Sequence, residues 1–403
     1  MTQANIGLIL TGGGARAAYQ AGVLAAIMRM LPPGAPSPFR IICGTSAGAI
    51  NAALLAAHAD NFGQGVRRIM RTWTSLQASS VHCTEPAVVA RNLARWIWAV
   101  IAGGSHERPV SLLDNTPLRQ LVDRLVDFSA VRGAIRNGYL DALCVTASSY
   151  ERACSVSFFE GHASLQPWSR ARRIGVPTTL GPEHLLGSAA IPFIYPPERI
   201  GDEHFGDGAV QQLAPISPAL HLGADRVFIV GVGPTAGPLS APADVRAHLS
   251  LGQIGDHLLD AIFTETLDID LERLRRINET VALMPASLRA HNAMHWRAVD
   301  ALVMTPSKSF ADATAKHAHR LPPAIRMLLR ALGAMGEGRM SVLSYLLTEG
   351  RFCSSLMCQG FRDAIARRAD ISSFLNLDVP ASARRKSIAP VARPATAGAA
   401  LAV

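Results

Sequence analysis

One short segment, residues 41–51, constrains the fold of this chain more than any other. An apolar run leads into Gly44-Thr45-Ser46-Ala47-Gly48, and small residues with helical spacing follow. A serine framed by glycines between a strand and a helix is typical of a nucleophile elbow, which presents the hydroxyl at the end of a sheet. Gly44 and Gly48 fit, because a tight turn requires unusual backbone angles and close packing. The alternative interpretation is an ordinary strand-to-helix turn that contains a serine.

A second glycine-rich loop precedes the elbow and also follows a short apolar run. Residues 6–10 have the pattern of a buried strand, Gly12-Gly13-Gly14 follow it closely, and a helical pattern covers residues 18–30. Strand, helix, strand and helix at this spacing predict a parallel sheet with helices on both faces. The carboxyl ends of consecutive parallel strands lie at one edge of a sheet, so we expect the two loops to be neighbours.

The glycine loop has two interpretations. Gly12-x-Gly14-x-x-Ala17 is similar to a dinucleotide-binding fingerprint, which requires an acidic residue about 20 positions later for the ribose hydroxyls. The sequence has no Asp or Glu before Asp60, which leaves only a 2′-phosphate version of that site using Arg29 or Arg40. The other interpretation is a cradle of amide groups that point at one negatively charged oxygen. Beside a nucleophile, such a cradle is an oxyanion hole.

Asp207 is the candidate for a second catalytic group, because a serine hydroxyl needs a base to become a nucleophile. It lies in Phe205-Gly206-Asp207-Gly208-Ala209, where the glycines permit close approach of backbone or substrate. The chain has 13 histidines, but none has a comparable setting; His204 is the nearest and has the pattern of a surface residue. The alternative for Asp207 is a simple turn aspartate.

These motifs together resemble those of the patatin-like phospholipases. The resemblance rests on residues 12–16, 44–48 and 207–209, extends to 115–118 and 188–193, and covers about residues 5–235. It implies an α/β fold, a three-layer α/β/α arrangement with a mainly parallel sheet. Thr11 and Ala17 stand where the family has an acidic residue and a glycine.

The resemblance also implies a mechanism and a set of site residues. Ser46 would be the nucleophile and Asp207 its base, in a dyad without histidine and without a cofactor or metal. The oxyanion hole would be formed by Gly12, Gly13, Gly14 and Arg16, and the elbow by Gly44 and Gly48. A solvated aspartate is too weak a base for a hydroxyl, so we expect Asp207 to be partly desolvated.

The expected function is that of a serine lipid acyl hydrolase of the phospholipase A, lysophospholipase or esterase type. It would cleave fatty-acyl esters of phospholipids through an acyl-enzyme intermediate. The alternative is a catalytically weak membrane- or lipid-binding protein on the same fold. We expect an acyl-lipid substrate and no nucleic-acid partner. The sequence gives no indication of the oligomeric state.

The chain of 403 residues is expected to contain three regions. A catalytic α/β domain covers 1–240, a mainly helical region covers 241–377, and a Pro/Ala/Arg-rich disordered tail covers 378–403. Within the second region, residues 251–277 have a helical pattern and residues 281–284 a strand-like one.

The formal net charge is +9 and comes almost entirely from arginine. This charge favours contact with anionic surfaces such as phospholipid headgroups. The apolar segment that contains Arg91, Arg95, Trp96 and Trp98 suits a bilayer interface or a lid over a hydrophobic site, but the favoured interpretation is a helix packed on the core. With no secretory signal, no apolar stretch long enough to span a membrane and six scattered cysteines, we expect a cytoplasmic protein with peripheral membrane contact left open.

Overall fold

The computed structural model describes residues 4–101, 111–233, 257–258, 260–285, 297–331 and 341–377. The predicted tail over 378–403 and the first part of the helix expected over 251–277 lie outside these ranges. Within them, no helix has the length and hydropathy required to cross a bilayer.

The strands of the described residues form a single mixed sheet. In chain order the strands are β1 (Ile6–Leu10), β2 (Ile41–Thr45), β3 (Ala142–Ser149), β4 (Cys154–Gly161), β5 (Trp168–Arg170), β6 (Arg173–Pro177), β7 (Glu198–Ile200), β8 (Glu203–Asp207), β9 (Arg226–Val230) and β10 (Asp300–Met304). Across the sheet they follow the order β10-β9-β1-β2-β3-β4-β6-β5, and the strands from β10 to β3 are parallel. β8 pairs antiparallel with β3 and with β7.

Helices cover both faces of this sheet. A short 3-10 helix, Gly14–Ala17, precedes the first of them, and a π-helical segment, Ala261–Glu265, precedes the ninth. The α-helices are α1 (Ala18–Met30), α2 (Ala47–Ala56), α3 (Phe62–Ser75), α4 (Pro86–Ile101), α5 (Thr116–Leu125), α6 (Phe128–Arg136), α7 (Pro182–Ala189), α8 (Ser217–His221), α9 (Thr266–Leu283), α10 (Ala311–His317), α11 (Pro323–Ala331), α12 (Ser341–Leu346), α13 (Gly350–Ala366) and α14 (Arg368–Phe374).

The alternation of side chains along the strands produces the layers. Leu8 and Ile42 pack in a large apolar cluster with α1, α2, α3 and α13, whereas Ile9 and Cys43 pack on the opposite face with α8 and α9. Consecutive strand residues point to opposite faces, so a central parallel strand that is apolar throughout must be covered on both sides. The predicted α/β/α architecture with a mainly parallel sheet is therefore confirmed.

The C-terminal region differs from the sequence expectation in two respects. The strand expected over residues 281–284 is wrong, because α9 continues to Leu283 and buries Val281 on its own inner face. The sequence analysis did not predict β10, which extends the sheet beside β9. The boundary predicted between residues 240 and 241 lies outside the described residues and stays a prediction, although β10 and α13 both pack on elements that precede it.

Candidate active site

Ser46 lies at a sharp turn between β2 and α2, as the glycine pattern predicts. Its backbone has φ 55° and ψ −130°, a conformation that residues with a side chain rarely adopt. Gly48 allows the turn to form, since a Cβ there would lie 2.4 Å from the carbonyl oxygen of Leu10 on the neighbouring strand. Close packing of α2 on β1 therefore holds the serine in its unusual geometry.

The structure brings Ser46 and Asp207 into direct contact. The Ser46 hydroxyl donates to Asp207 Oδ2 at 2.6 Å, and both residues are buried. Strand register explains this proximity over a separation of 161 residues. Thr45 pairs with Thr146, and Ala147 pairs with Asp207, so β3 places the two side chains at the same edge of the sheet.

The Asp207 carboxylate is held by its own backbone surroundings. Its Oδ1 accepts a hydrogen bond from the Ala209 amide at 3.0 Å, which leaves Oδ2 directed at Ser46. Its amide donates to the Ala190 carbonyl at 2.8 Å, and its carbonyl accepts from the Ser148 hydroxyl at 2.8 Å. The orientation of the acid is thus fixed by three elements.

Burial changes the acidity of this carboxyl strongly. Loss of hydration raises the pKa of Asp207 to about 7, against smaller opposing effects of the hydrogen bonds from Ser46 and Ala209. A carboxylate with a pKa near neutrality is a much better proton acceptor than a solvated one. The desolvation expected from the sequence is present.

Ser188 contributes a contact that the sequence analysis did not assign. Its hydroxyl accepts a hydrogen bond from the Ser46 amide at 2.8 Å and donates to the Thr146 carbonyl at 2.6 Å. Ser188 is fully buried at the end of α7. The sequence signal for Ser188 was its position in the 188–193 segment, which resembles the family. A hydroxyl that links the elbow to β3 produces no spacing pattern from which its role could be predicted.

The glycine loop lies directly beside the serine. A Cβ at Gly12 would be 3.1 Å from the Cβ of Ser46. Within the described part of the chain, the amides of Gly12, Gly13 and Gly14 donate no hydrogen bond, whereas the Arg16 amide donates to the Gly13 carbonyl at 3.0 Å. Three amides for which the described residues supply no acceptor thus lie in the loop beside Ser46.

The Arg16 side chain faces the C-terminal region. It is 7% exposed, and its guanidinium donates to the Ser344 hydroxyl at 2.6 Å and to the Tyr345 hydroxyl at 2.8 Å. Among the sequence-predicted site residues, Ser46, Asp207 and the three glycines are therefore grouped together, and the Arg16 amide contacts the loop at Gly13. His204 lies at the surface and pairs with Glu151 at 2.9 Å.

An apolar cavity opens beside Ser46. Its walls come from α2, α3, α5, the loop after α7 and the segment around α12, and include Ile50, Trp73, Leu118, Val122, Ile191 and Leu346. An apolar lining of this kind suits a hydrocarbon group. The sequence analysis did not predict which helices form it.

The described residues contain no group of three or more His, Cys, Asp or Glu side chains placed to hold a metal ion.

Comparison with curated proteins found no significant match. Among solved structures, human GIVD cytosolic phospholipase A2 in complex with methyl gamma-linolenyl fluorophosphonate is 14% identical, with a TM-score of 0.43, 93% of this chain covered and 60% of that chain. VipD from Legionella pneumophila is 12% identical, with a TM-score of 0.29, 88% of this chain covered and 67% of that one.

The family comparison covers the elbow, the paired Ser46 and Asp207 and the glycine loop together. The model of patatin-like phospholipases matches residues 8–220, more than half of the chain. This segment includes Ser46, Asp207, Ser188 and the loop of Gly12 to Gly14, whose geometry is described above. The chain belongs to the patatin-like phospholipase family, a family of lipid acyl hydrolases.

Proposed function

We propose that this protein is a serine hydrolase that cleaves fatty-acyl esters of phospholipids, with Ser46 as nucleophile and Asp207 as its base. The observation that carries the proposal is the 2.6 Å hydrogen bond between the two side chains at the edge of an apolar cavity. Membership of a lipid acyl hydrolase family supports the same reaction class. The pKa of Asp207, raised to about 7 by burial, supports its assignment as a base near neutral pH.

In the first half of the reaction, Ser46 Oγ attacks the ester carbonyl carbon while its proton passes to Asp207 Oδ2. The carbonyl oxygen becomes an oxyanion, for which the amides of Gly12, Gly13 and Gly14 are the proposed donors. One such donor typically contributes roughly 2.7–4 kcal/mol to transition-state stabilisation. When the intermediate collapses, Asp207 returns the proton to the leaving alcohol oxygen, and the acyl group remains on Ser46.

The second half repeats these roles with water. Asp207 accepts a proton from a water molecule that attacks the acyl carbonyl, and the same amides stabilise the second oxyanion. Collapse breaks the bond to Ser46 Oγ, which recovers its proton from Asp207, and releases the fatty acid. The apolar cavity lined by α3 and α5 would hold the acyl chain throughout.

A labelling experiment tests the nucleophile and the reaction class together. A fluorophosphonate probe should attach covalently to Ser46, as identified by mass spectrometry of the labelled peptide. Vesicles of phosphatidylcholine and phosphatidylglycerol incubated with the protein should release free fatty acid, and pre-treatment with the probe should stop that release. Labelling of another serine, or release that continues after full labelling of Ser46, would contradict the proposal.

The same experiment separates the rival function. A lipid-binding protein with little activity would sediment with the vesicles, yet release no fatty acid. The preformed hydrogen bond between Ser46 and Asp207 favours the hydrolase.

Helix α4 supports a peripheral membrane contact as part of this proposal. Ile97, Trp98 and Ile101 are 46%, 62% and 73% exposed, and Arg91 and Arg95 are exposed on the same helix. Arg91, Arg95 and Trp98 follow one another at helical spacing, so cationic and aromatic groups share a face. Exposed tryptophan beside arginine is the pattern of a helix that rests at an anionic bilayer surface.

Replacement of Trp98 by Ala should weaken binding to phosphatidylglycerol vesicles about tenfold, because the exposed ring would no longer be buried in the interface. Vesicle sedimentation measures this change, and hydrolysis of a short soluble ester should stay at the wild-type rate. Leu283→Ala is the matched control, since Leu283 is a large apolar residue, 86% exposed, on a different helix, α9. Equal losses on vesicles and on the soluble ester would contradict a membrane role for α4.

A further inference from the structure

The glycine loop is held in place by residues far along the chain. The guanidinium of Arg16 donates from Nε to Ser344 Oγ at 2.6 Å, and from Nη1 to the Tyr345 hydroxyl at 2.8 Å. Nη1 also forms an ion pair with Asp260 Oδ1 at 3.2 Å. A buried guanidinium bound by several acceptors is costly to displace, because each lost partner leaves a desolvated donor.

The partners of Arg16 are also bound to one another. The Tyr345 hydroxyl donates to Asp260 Oδ1 at 3.1 Å, and the centre of the Arg16 guanidinium lies 3.9 Å from the centroid of the Tyr345 ring. The Tyr345 ring packs on Phe263 with centroids 4.9 Å apart. We call Arg16, Asp260, Phe263, Ser344 and Tyr345 the loop clamp.

The backbone of the glycine loop touches the same residues. A Cβ at Gly12 would lie 3.0 Å from Cε1 of Phe263, and one at Gly14 would lie 2.3 Å from the Tyr345 carbonyl oxygen. The loop therefore packs against the π-helical segment on one side and against α12 on the other. Its amide donors cannot shift far without moving one of these elements.

Every clamp residue except Arg16 lies beyond residue 220, where the match to the family model ends. Tyr345 and the following Leu346 also line the cavity beside Ser46. We infer that residues 260–263 and 344–346 belong to the active site. They position the oxyanion donors through Arg16, and residues 345 and 346 also close the acyl cavity. This inference rests on the proposed function for its chemical meaning, while the positioning itself is a property of the loop.

The expected effect follows from how strongly oxyanion stabilisation depends on geometry. Displacing a catalytic group by about 1 Å can cost on the order of 100-fold in rate. Ser344→Ala removes the acceptor of Arg16 Nε, and Tyr345→Phe removes the hydroxyl while it keeps the ring. We expect each substitution to lower kcat for a short-chain p-nitrophenyl ester about 10- to 100-fold and to leave KM nearly unchanged, because the loop acts on the transition state.

A second measurement follows the loop itself. The Arg16 amide donates to Gly13, and the Ala18 amide donates to Ala15. Hydrogen–deuterium exchange of a peptide spanning residues 11–18 should be faster in both clamp variants than in the wild type, because the 3-10 turn opens more often. Ser355→Ala is the control, since among the described residues its hydroxyl donates to the Phe352 carbonyl of its own helix, at 2.7 Å.

The two measurements distinguish the possible failures. Wild-type kcat and wild-type exchange in both clamp variants would overturn the inference, and so would a rise in KM alone. If the wild type hydrolyses no ester but the clamp variants exchange faster, the loop is held as described and only the proposed reaction is wrong. An equal loss of kcat in Ser355→Ala would show a general effect on the C-terminal helices and would also overturn the inference.

Discussion

Replacement of Asp207 by Asn should abolish ester turnover and, at the same time, stabilise the folded protein at alkaline pH. The loss of activity follows because Asn cannot accept the Ser46 proton, and general-base assistance typically contributes about 10²–10⁴-fold. Asn can keep the hydrogen bond from the Ala209 amide through Oδ1, so the fold has no reason to change.

The gain in stability follows from the raised pKa of Asp207. Burial raises this pKa from 3.8 to about 7, so in the interval between these values the folded protein holds a proton that the unfolded chain has released. The free energy of unfolding therefore falls as pH rises through that interval. Above pH 7, burial of the charged carboxylate lowers the free energy of unfolding by on the order of 4 kcal/mol. The neutral amide of Asp207→Asn avoids this loss of stability.

Urea unfolding at pH 5 and pH 8 measures this effect. The stability difference between Asp207→Asn and the wild type should grow with pH. The kcat/KM of the wild type should increase with pH, with its midpoint at about pH 7, and then level off. Asp270→Asn is the control for activity, because Asp270 is also buried with a raised pKa but binds the Ile216 amide away from Ser46. Turnover that survives in Asp207→Asn, or a stability difference that does not change with pH, would contradict the assignment of Asp207.

Replacement of Gly48 by Ala should destabilise the fold and remove activity together. The added methyl group would lie 2.4 Å from the Leu10 carbonyl oxygen and 2.6 Å from that of Thr11, so α2 would have to move away from β1. Overpacking of this kind against rigid backbone costs roughly 3 kcal/mol or more. The same movement would carry Ser46 out of reach of Asp207.

Thermal unfolding and ester turnover measure the two consequences. Gly133→Ala provides the matched control, because a Cβ there meets nothing within 4 Å in the helix α6. That variant should be slightly more stable than the wild type, since Ala loses less entropy than Gly in a helix. A Gly48→Ala protein with wild-type stability would mean that α2 packs less closely on β1 than described.

The parts of this molecule that sequence predicts are those set by local rules. A glycine pattern around Ser46 identifies the elbow, because only a small residue at position 48 permits the close packing of helix on strand. Asp207 can be identified as a candidate site residue because glycines flank it and because the order of the motifs resembles that of one family. Apolar runs predict β1 and β2, since both are buried along their whole length.

The rest depends on tertiary contacts that leave no local pattern. Residues 281–284 form a short apolar run that periodicity cannot assign to helix or strand, and burial against the core decides for the helix α9. β10 is an edge strand whose first two residues are exposed, and its apolar run at residues 301–304 is too short to distinguish a strand from a helix. The contact of Arg16 with Ser344 spans 328 residues, and no spacing rule reaches that far.

That long separation also governs when the site can be completed during synthesis. Ribosomes add roughly 5–20 residues per second, so Ser344 follows Arg16 out of the ribosome by roughly 15 to 65 seconds. Asp207 emerges within that interval, and from then until Ser344 follows, Ser46 and Asp207 exist without the residues that hold the neighbouring glycine loop. We therefore expect a nascent chain that lacks Ser344 and Tyr345 to turn over an ester about 10- to 100-fold more slowly, as the clamp variants do.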